Sequence, residues 1–324
     1  MSTHSPVSRR GFMKASLLAS AAVPLSLNAQ PSAAPAAPTP GTAVAKETLP
    51  LGKIAGQEFS RMMLGGNLIS GWSHSRDLGY VSALMKHYNT ESKIRETLEL
   101  AEANGINAIN TYVQDNNTSI FNHWKNGGKM KWFAQVRLDP KKGYSQINRA
   151  VDEGAAGVHV NGDAAEGLLN NNEFEKVGEM VELIKSKKRI AGVAAHDLRV
   201  IVESVKAGHD VDFYQKTLHT HEYYTAPRAD ETGALGAHDN SWCSDPKAVV
   251  DFMATVKKPW IAFKILAAGA VPPRLGLPYA FSSGADFALV GMFDWQIVEN
   301  VKLARRFVSL YSGKDSKRTR PWCG

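Results

Sequence analysis

The chain has 324 residues, of which 44% are hydrophobic, and this is enough for one large domain with a sizeable core. Its formal charge of +7 is spread in mixed sign along the helical segments, without a basic and aromatic patch, so no nucleic-acid partner is expected. Two cysteines, Cys243 and Cys323, are too few for a disulfide framework, and whether they pair with each other stays open.

The first residues have the pattern of a targeting segment. SRRGFMK at positions 8–14 precedes an apolar run over 15–27, and together they resemble a bacterial twin-arginine signal. The run is too short to span a bilayer comfortably, so a cleaved signal is favoured over a stable membrane anchor. We predict a signal peptide over residues 1–29. The resemblance implies export by the Tat translocase in the folded state and a periplasmic or secreted location.

The next segment is rich in proline and alanine, and it predicts a disordered linker over residues 30–47. The folded domain is expected over residues 48–314. A basic tail over 315–324 follows it.

Four segments share one pattern, in which a helical stretch ends at a glycine and an apolar strand follows. They are EANGINAINTY at 102–112, VDEGAAGVHV at 151–160, VKAGHDVDFY at 205–214 and SSGADFALVG at 282–291. Glycine at this position typically closes a helix in the left-handed region, and a strand that is apolar on both faces is typical of a parallel sheet. The pattern therefore predicts repeated βα units.

Eight such strands fit into the domain. They are predicted at Arg61–Gly65, Ala108–Tyr112, Trp132–Arg137, Gly157–Asn161, Ile190–Ala195, Asp212–Thr217, Trp260–Leu266 and Phe287–Gly291. The predicted fold is a single (β/α)8 TIM barrel, with Leu51–Glu58 as a short hairpin that caps its bottom. A doubly wound open sheet is the alternative, but no glycine-rich dinucleotide fingerprint follows the first strand.

Active sites of such barrels use polar residues at the carboxyl ends of the strands. His159, His196 and His219 end three consecutive strands, so we expect them to converge. Lys264 lies within the predicted strand WIAFKILAAG, where desolvation would lower its pKa and suit it to act as a base or a Schiff-base nucleophile. Lys216 is expected on the neighbouring strand as a second cation of the same pocket.

The candidate roles follow from these side-chain types. His159, His196, Lys216 and Lys264 are the predicted catalytic residues, because a cationic pocket stabilises an anion or an enolate. The predicted metal ligands are His159, His196, His219 and Glu222, with His221 or Asp197 as substitutes, for a divalent ion such as Zn²⁺ or Mn²⁺. The predicted substrate-binding residues are Asn67, Asn110, Gln135, Arg137, Asn161 and Tyr223.

Both ends of the domain resemble the aldo/keto reductase superfamily. LPLGKIAGQEFSRMMLGGN at 49–67 is similar to the capping hairpin and first strand of that family, and FSSGADFALVGMFDWQIVENVKLA at 281–304 to its last strand and helix. The resemblance implies a barrel fold and an NADP cofactor. His159 stands at the family's strand-four histidine. However, Asn110 replaces its aspartate, Gln135 and Arg137 stand where its catalytic lysine is expected, and Tyr112 has no secure match to its tyrosine.

The leading hypothesis is an exported enzyme that takes a proton from the carbon next to a carbonyl, as a lyase or an isomerase. Its substrate would be a small polar molecule, sugar-derived or similar. One alternative is an NADP-dependent oxidoreductase of the aldo/keto reductase kind. The other is a periplasmic binding protein that has kept the barrel without catalysis. The sequence leaves the substrate, the metal and the oligomeric state open.

Overall fold

The computed structural model describes residues 48–113, 118–228, 230–231, 238–311 and 322. The predicted signal peptide and linker lie outside these residues, and so does all of the predicted basic tail except Trp322. Within the described part of the chain, no helix is both long and apolar enough to cross a membrane.

Eight parallel strands close into a barrel, which confirms the predicted TIM barrel. In chain order around the barrel they are β3 (Met62–Gly65), β4 (Ala108–Tyr112), β5 (Lys131–Val136), β6 (Gly157–Val160), β7 (Ile190–Ala195), β8 (Phe213–Thr217), β9 (Trp260–Phe263) and β10 (Phe287–Gly291). The barrel closes where β10 pairs with β3, with Gly291 opposite Gly65. Four predicted strands differ from the observed ones by one residue at one or both ends, and the predicted strand Trp260–Leu266 was three residues too long, because β9 ends at Phe263.

Helices connect the strands, and most of them cover the outside of the barrel. They are α1 (Tyr80–Tyr88), α2 (Glu91–Ala103), α3 (Thr118–Lys125), α4 (Ser145–Asp152), α5 (Gly162–Asn170), α6 (Glu175–Ser186), α7 (Leu198–Lys206), α8 (Pro246–Thr255), α9 (Pro273–Ser282) and α10 (Asp294–Tyr311). The four predicted helix-closing glycines, Gly105, Gly154, Gly208 and Gly284, all have positive φ, between 70° and 100°. These four glycines therefore end helices, as the sequence pattern predicted.

The predicted hairpin is formed by β1 (Leu51–Ile54) and β2 (Gln57–Ser60), which pair antiparallel. Ile54 and Phe59 are fully buried and belong to the apolar cluster inside the barrel. The ring of Phe59 meets Phe133 edge-on at 4.9 Å, and Phe133 meets Phe213 at 5.4 Å. The hairpin therefore closes the lower half of the barrel with a packed aromatic core.

The upper half is open, and close backbone contacts shape it. A Cβ on Gly66 would lie 2.3 Å from the Thr111 side chain and 2.7 Å from the carbonyl oxygen of Asn110. Only glycine therefore lets the chain leave β3 this close to β4. The amide of Gly66 donates to that same carbonyl at 2.8 Å. The long segment that follows carries α1 over the top of the barrel.

Candidate active site

A cavity of about 1180 Å³ opens at the carboxyl ends of the strands. It is the place where this fold carries its active sites, because the loops after the strands meet there. Its floor consists of side chains from the strand ends, and its walls come from the loops after β3, β8 and β9. We call it the central cavity.

Neutral amides form the floor of the central cavity. The Nε2 of Gln135 donates to the Oδ1 of Asn110 at 2.6 Å, and the Nδ2 of Asn110 donates to the Oε1 of Gln215 at 3.0 Å. The Nδ2 of Asn161 donates to the Oε1 of Gln135 at 3.0 Å and to the Tyr112 hydroxyl at 3.2 Å. This amide network is largely buried and satisfies its own polar groups, which fixes the floor rigidly.

One wall holds a relay of three titratable groups. The Nζ of Lys264 lies 2.9 Å from the Nε2 of His74, and the Nδ1 of His74 lies 3.0 Å from the Oδ1 of Asp239. The Lys264 amine also lies 3.6 Å from the ring centroid of Trp242, a cation–π contact. If Asp239 takes a hydrogen bond from Nδ1, then the Nε2 of His74 carries the lone pair that faces the lysine.

Lys264 is placed by an unusual backbone conformation. It follows the last residue of β9 and has a φ of 57°, in the left-handed region that side chains other than glycine rarely adopt. The amide of Ala267 donates to the carbonyl of Lys264 at 2.9 Å and closes the turn. The sequence placed this lysine in mid-strand, and the structure corrects that: the chain has already left the sheet.

Burial lowers the pKa of Lys264 to about 8. The negative charges of Asp163, Asp239 and Glu166 act in the opposite direction and do not compensate for it. Within the described part of the chain, Lys264 has no carboxylate within ion-pair distance. A lysine in this state is partly neutral at moderately alkaline pH and can accept a proton.

The end of β7, two strands from Lys264, holds His196 with two carboxylates of α5. The Nδ1 of His196 lies 3.2 Å from the Oε1 of Glu166 and 3.4 Å from the Oδ1 of Asp163. The same Glu166 oxygen accepts the backbone N–H groups of His196 and Asp197. Burial alone would raise the pKa of Glu166, but the contacts with His196 and the two backbone donors outweigh it and lower that pKa. Glu166 is therefore a carboxylate that fixes the loop after β7.

The predicted substrate-binding residues mostly lie together. Asn67, Asn110, Gln135, Asn161 and Tyr223 all line the central cavity. Arg137 lies outside its lining: the guanidinium pairs with Asp163 at 3.1 Å and its side chain is exposed. The polar strand ends were thus a good guide to the cavity, whereas their roles in binding stay predictions.

The three predicted histidines do not converge. His196 lines the cavity, but His159 is fully buried below the floor, with its Nε2 3.5 Å from the Nδ2 of Asn110. Its ring meets Phe213 edge-on, and burial lowers its pKa to about 3. His159 is therefore neutral at ordinary pH, and it sits between the floor and the aromatic core.

Lys216 also lies outside the central cavity. Its neighbour Gln215 points into the barrel and contacts the floor, so Lys216 points to the opposite face, toward the helices. The buried amine donates to the carbonyl of Thr217 at 3.1 Å and to its hydroxyl at 2.6 Å. Burial lowers the pKa of Lys216. The expectation that Lys216 shares a pocket with Lys264 is corrected by this geometry.

The predicted metal ligands are also dispersed. His219 uses both ring nitrogens on the backbone: Nε2 accepts the N–H of Trp242 at 3.0 Å, and Nδ1 lies 3.2 Å from the carbonyl of Thr220. Burial lowers the pKa of His219 to about 4. The ring of His219 thus ties the loop after β8 to Trp242, and no nitrogen is left for a metal. Glu222 is exposed, and the Nε2 of His221 lies 2.7 Å from the carbonyl of Cys243.

A different set of ligand atoms does converge. Asp163, Glu166 and His196 each offer one atom, and these atoms all lie within 4.8 Å of one another. Among the described residues this is the one group of at least three His, Cys, Asp or Glu side chains with such spacing. Only His196 belongs to the predicted set.

Several residues of the site were missed from the sequence. His74 lies in the long segment after β3 and Asp239 in the one after β8; they are 165 positions apart, and nothing in either segment indicates their contact. Gln215 and Glu166 were missed because neither follows directly after a strand. A period-two reading of β8 from the apolar Phe213 would have placed Gln215 inside the barrel.

Comparisons with known proteins support the fold. No family model matches the sequence, and no curated protein matches it. Among solved structures, a candidate aldo-keto reductase from Pseudomonas aeruginosa is similar, with a TM-score of 0.55 and 17% identity over 81% of this chain and 98% of that chain. The apo structure of Gox0644 is similar with a TM-score of 0.54 and 11% identity, over 84% of this chain and 97% of that one. At these identities the likeness shows a shared TIM-barrel fold and carries no information about activity.

Proposed function

We propose that this protein is an enzyme that removes a proton from the carbon next to a carbonyl group, acting as a lyase or an isomerase on a small polar substrate derived from a sugar. The observation that carries the proposal is Lys264, an amine in the wall of the central cavity whose pKa is lowered to about 8. A general base works best when its pKa lies near the operating pH. Lys264 meets that condition by burial alone.

The relay behind Lys264 orients the amine. Lys264 takes the proton from the substrate carbon and keeps it, because burial and the charge of Lys264 lower the pKa of His74, whose Nε2 lies 2.9 Å away and stays a hydrogen-bond acceptor. Asp239 holds the His74 ring in this orientation. Lys264 is in this proposal the catalytic base, and His74 and Asp239 assist it.

His196 lines the cavity two strands away from Lys264 and is the candidate acid that returns a proton. Its Nδ1 is engaged by Glu166 and Asp163, which leaves Nε2 for the substrate. A hydrogen bond from Nε2 of His196 would stabilise the charge that develops on the carbonyl oxygen. The amide network of the floor is neutral, so it orients hydroxyl groups without adding charge.

A divalent metal, Zn²⁺ or Mn²⁺, would find its donors at Asp163, Glu166 and His196. Bound there, it would polarise the substrate carbonyl as a Lewis acid. Metal analysis tests this part separately, on protein purified after native export and with no affinity metal used. One equivalent in the wild type, lost in His196→Gln, would support the site. A metal-free wild type that is fully active would refute it.

The reaction itself is tested by solvent exchange. The protein is incubated with a panel of keto-sugars in D2O, and deuterium next to the carbonyl is followed by NMR. We expect exchange with the wild type that rises as pH passes through about 8. Lys264→Met should lower it by about 100-fold or more, as expected for loss of a general base. The matched control is Lys302→Met, an exposed lysine of α10. Exchange that is equal in all three proteins would refute the assignment.

Reduction with NADPH remains the second candidate, because the fold resembles that of an aldo-keto reductase. The floor of the cavity argues against reduction, because Asn110 and Gln135 form a neutral hydrogen bond where that family has an aspartate and a lysine. The Tyr112 hydroxyl has Asn161 as its partner, not an amine. Tight NADPH binding with consumption by keto-sugars would favour the reductase. Ligand binding with no turnover in either assay would favour a binding protein.

A further inference from the structure

The mouth of the central cavity gathers the exposed apolar side chains of the protein. Among the described residues, twelve large hydrophobic side chains are exposed, and half of them line this cavity. The six are Trp72, Leu78, Leu84, Tyr88, Tyr224 and Trp295. We call this set the apolar mouth. Single exposed hydrophobics are ordinary on a protein surface, but a group of this size around one opening marks a binding site.

Two aromatic rings of the apolar mouth are held in place by a neighbour. Phe293 lies between them: the Trp295 ring is nearly parallel to it at 6.2 Å, and the Tyr88 ring meets it edge-on at 5.4 Å. The Tyr88 hydroxyl donates to Asp294 at 2.6 Å. Trp295 nevertheless stays 68% exposed and Trp72 57% exposed. These side chains therefore keep much of their surface free for a ligand.

The lining of the cavity combines two chemically different sets of side chains. Lys264, His74 and His196 are polar, and the apolar mouth supplies the second set. The cavity volume of about 1180 Å³ is large for a single sugar ring. Drug-sized ligands typically fill pockets of about 300–1,000 Å³. A monosaccharide that contacts the polar set would fill only part of this volume.

We infer that the substrate carries a flat apolar ring, an aryl group attached to the polar part that holds the carbonyl, and that the apolar mouth is the subsite for this ring. Aromatic side chains gain most from stacking against another flat ring, whereas an alkyl chain has no face to offer. The inference rests on the proposed function for what the polar set does, but the ring subsite can be tested by binding alone.

The test compares probes that share one polar part. Binding of phenyl, octyl and methyl β-glucoside is measured by calorimetry on the full-length protein. We expect the phenyl glucoside to bind at least 10-fold more tightly than the methyl glucoside and more tightly than the octyl glucoside. Trp295→Ala and Trp72→Ala should each reduce the phenyl preference several-fold. Leu310→Ala, which removes an exposed side chain of α10 outside the cavity, should leave it unchanged.

Each outcome bears on the inference. A wild type that shows no phenyl preference, including one that binds none of the probes, overturns it. So does a preference that both tryptophan variants keep, or an octyl glucoside that binds as well as the phenyl one. Lys264→Met separates the two proposals, because it should keep the phenyl preference while it loses exchange. If the wild type prefers the phenyl glucoside but catalyses no exchange, the proposed function is contradicted and the ring subsite is still supported.

Discussion

Replacing Lys264 with methionine should stabilise the protein, by an amount that depends on pH. The pKa of Lys264 falls from an ordinary value of 10.5 to about 8 in the folded protein. This difference corresponds to about 3 kcal/mol of folding free energy lost wherever the amine is protonated in both states, that is, below pH 8. Methionine has a stem of similar length and no charge, so Lys264→Met removes the cost.

The sign follows from the order of the two pKa values. Between pH 8 and 10.5 the unfolded chain still binds the proton while the native protein has released it, so the wild type gains stability as pH rises. From pH 7 to 9.5 this gain amounts to about 2 kcal/mol. Lys264→Met lacks the amine, so its stability does not increase with pH in this way. The advantage of Lys264→Met should therefore shrink by about 2 kcal/mol over that interval.

Urea denaturation followed by circular dichroism at pH 7, 8, 9 and 9.5 measures both curves. The variant also loses the cation–π contact between Lys264 and Trp242, and this loss changes its absolute stability. The quantity to compare is therefore the change with pH of the stability difference between the wild type and the variant. Lys302→Met should run parallel to the wild type. If the gap between the wild type and Lys264→Met is the same at pH 7 and 9.5, the amine is not buried as described and the reasoning fails.

Two further predictions concern the floor and the relay. Asn110→Ala should cost about 3 kcal/mol in urea denaturation, because it leaves the buried Oε1 of Gln215 without its donor and the half-buried Gln135 without its acceptor. A wild-type midpoint would show that the network is not buried and satisfied. Asp239→Asn removes a negative charge that raises the pKa of Lys264 while it keeps an acceptor for His74, so the rising limb of the exchange rate should move to lower pH. A limb that stays in place would exclude Asp239 from the relay.

The architecture could be predicted because it depends on local signals. A glycine after each of four helices and apolar strands at regular spacing are features of short segments, and the positive φ of Gly105 and Gly208 shows that the segments were understood correctly. Polar residues that directly follow strands, such as Asn161, reach the cavity because all parallel strands end at one edge. The fold and the floor of the site were therefore accessible from the sequence.

The walls of the site could not be predicted in the same way. When a strand is apolar on both faces, its sequence does not show which alternate residues point into the barrel. An error of one residue then exchanges the inner face for the outer. Lys216 was favoured over Gln215 for its charge, although it is Gln215 that faces the cavity. The contact of Lys264 with His74 joins residues 190 positions apart. It depends on a backbone turn at Lys264 with positive φ, and the sequence has no glycine there to indicate it.

The neutral floor decides where the chemistry can occur. Gln135 pairs with Asn110, so the floor carries no charged side chain at this point. His159, which lies closest to the floor, is kept neutral by burial, so it cannot supply the missing charge. The groups that titrate or pair with carboxylates stand above the floor, with Lys264 after β9 and His196 after β7, two strands apart. The proposed reaction therefore requires the reacting carbon to lie above the floor and within reach of both groups, and a reaction centred on the floor itself would contradict the proposal.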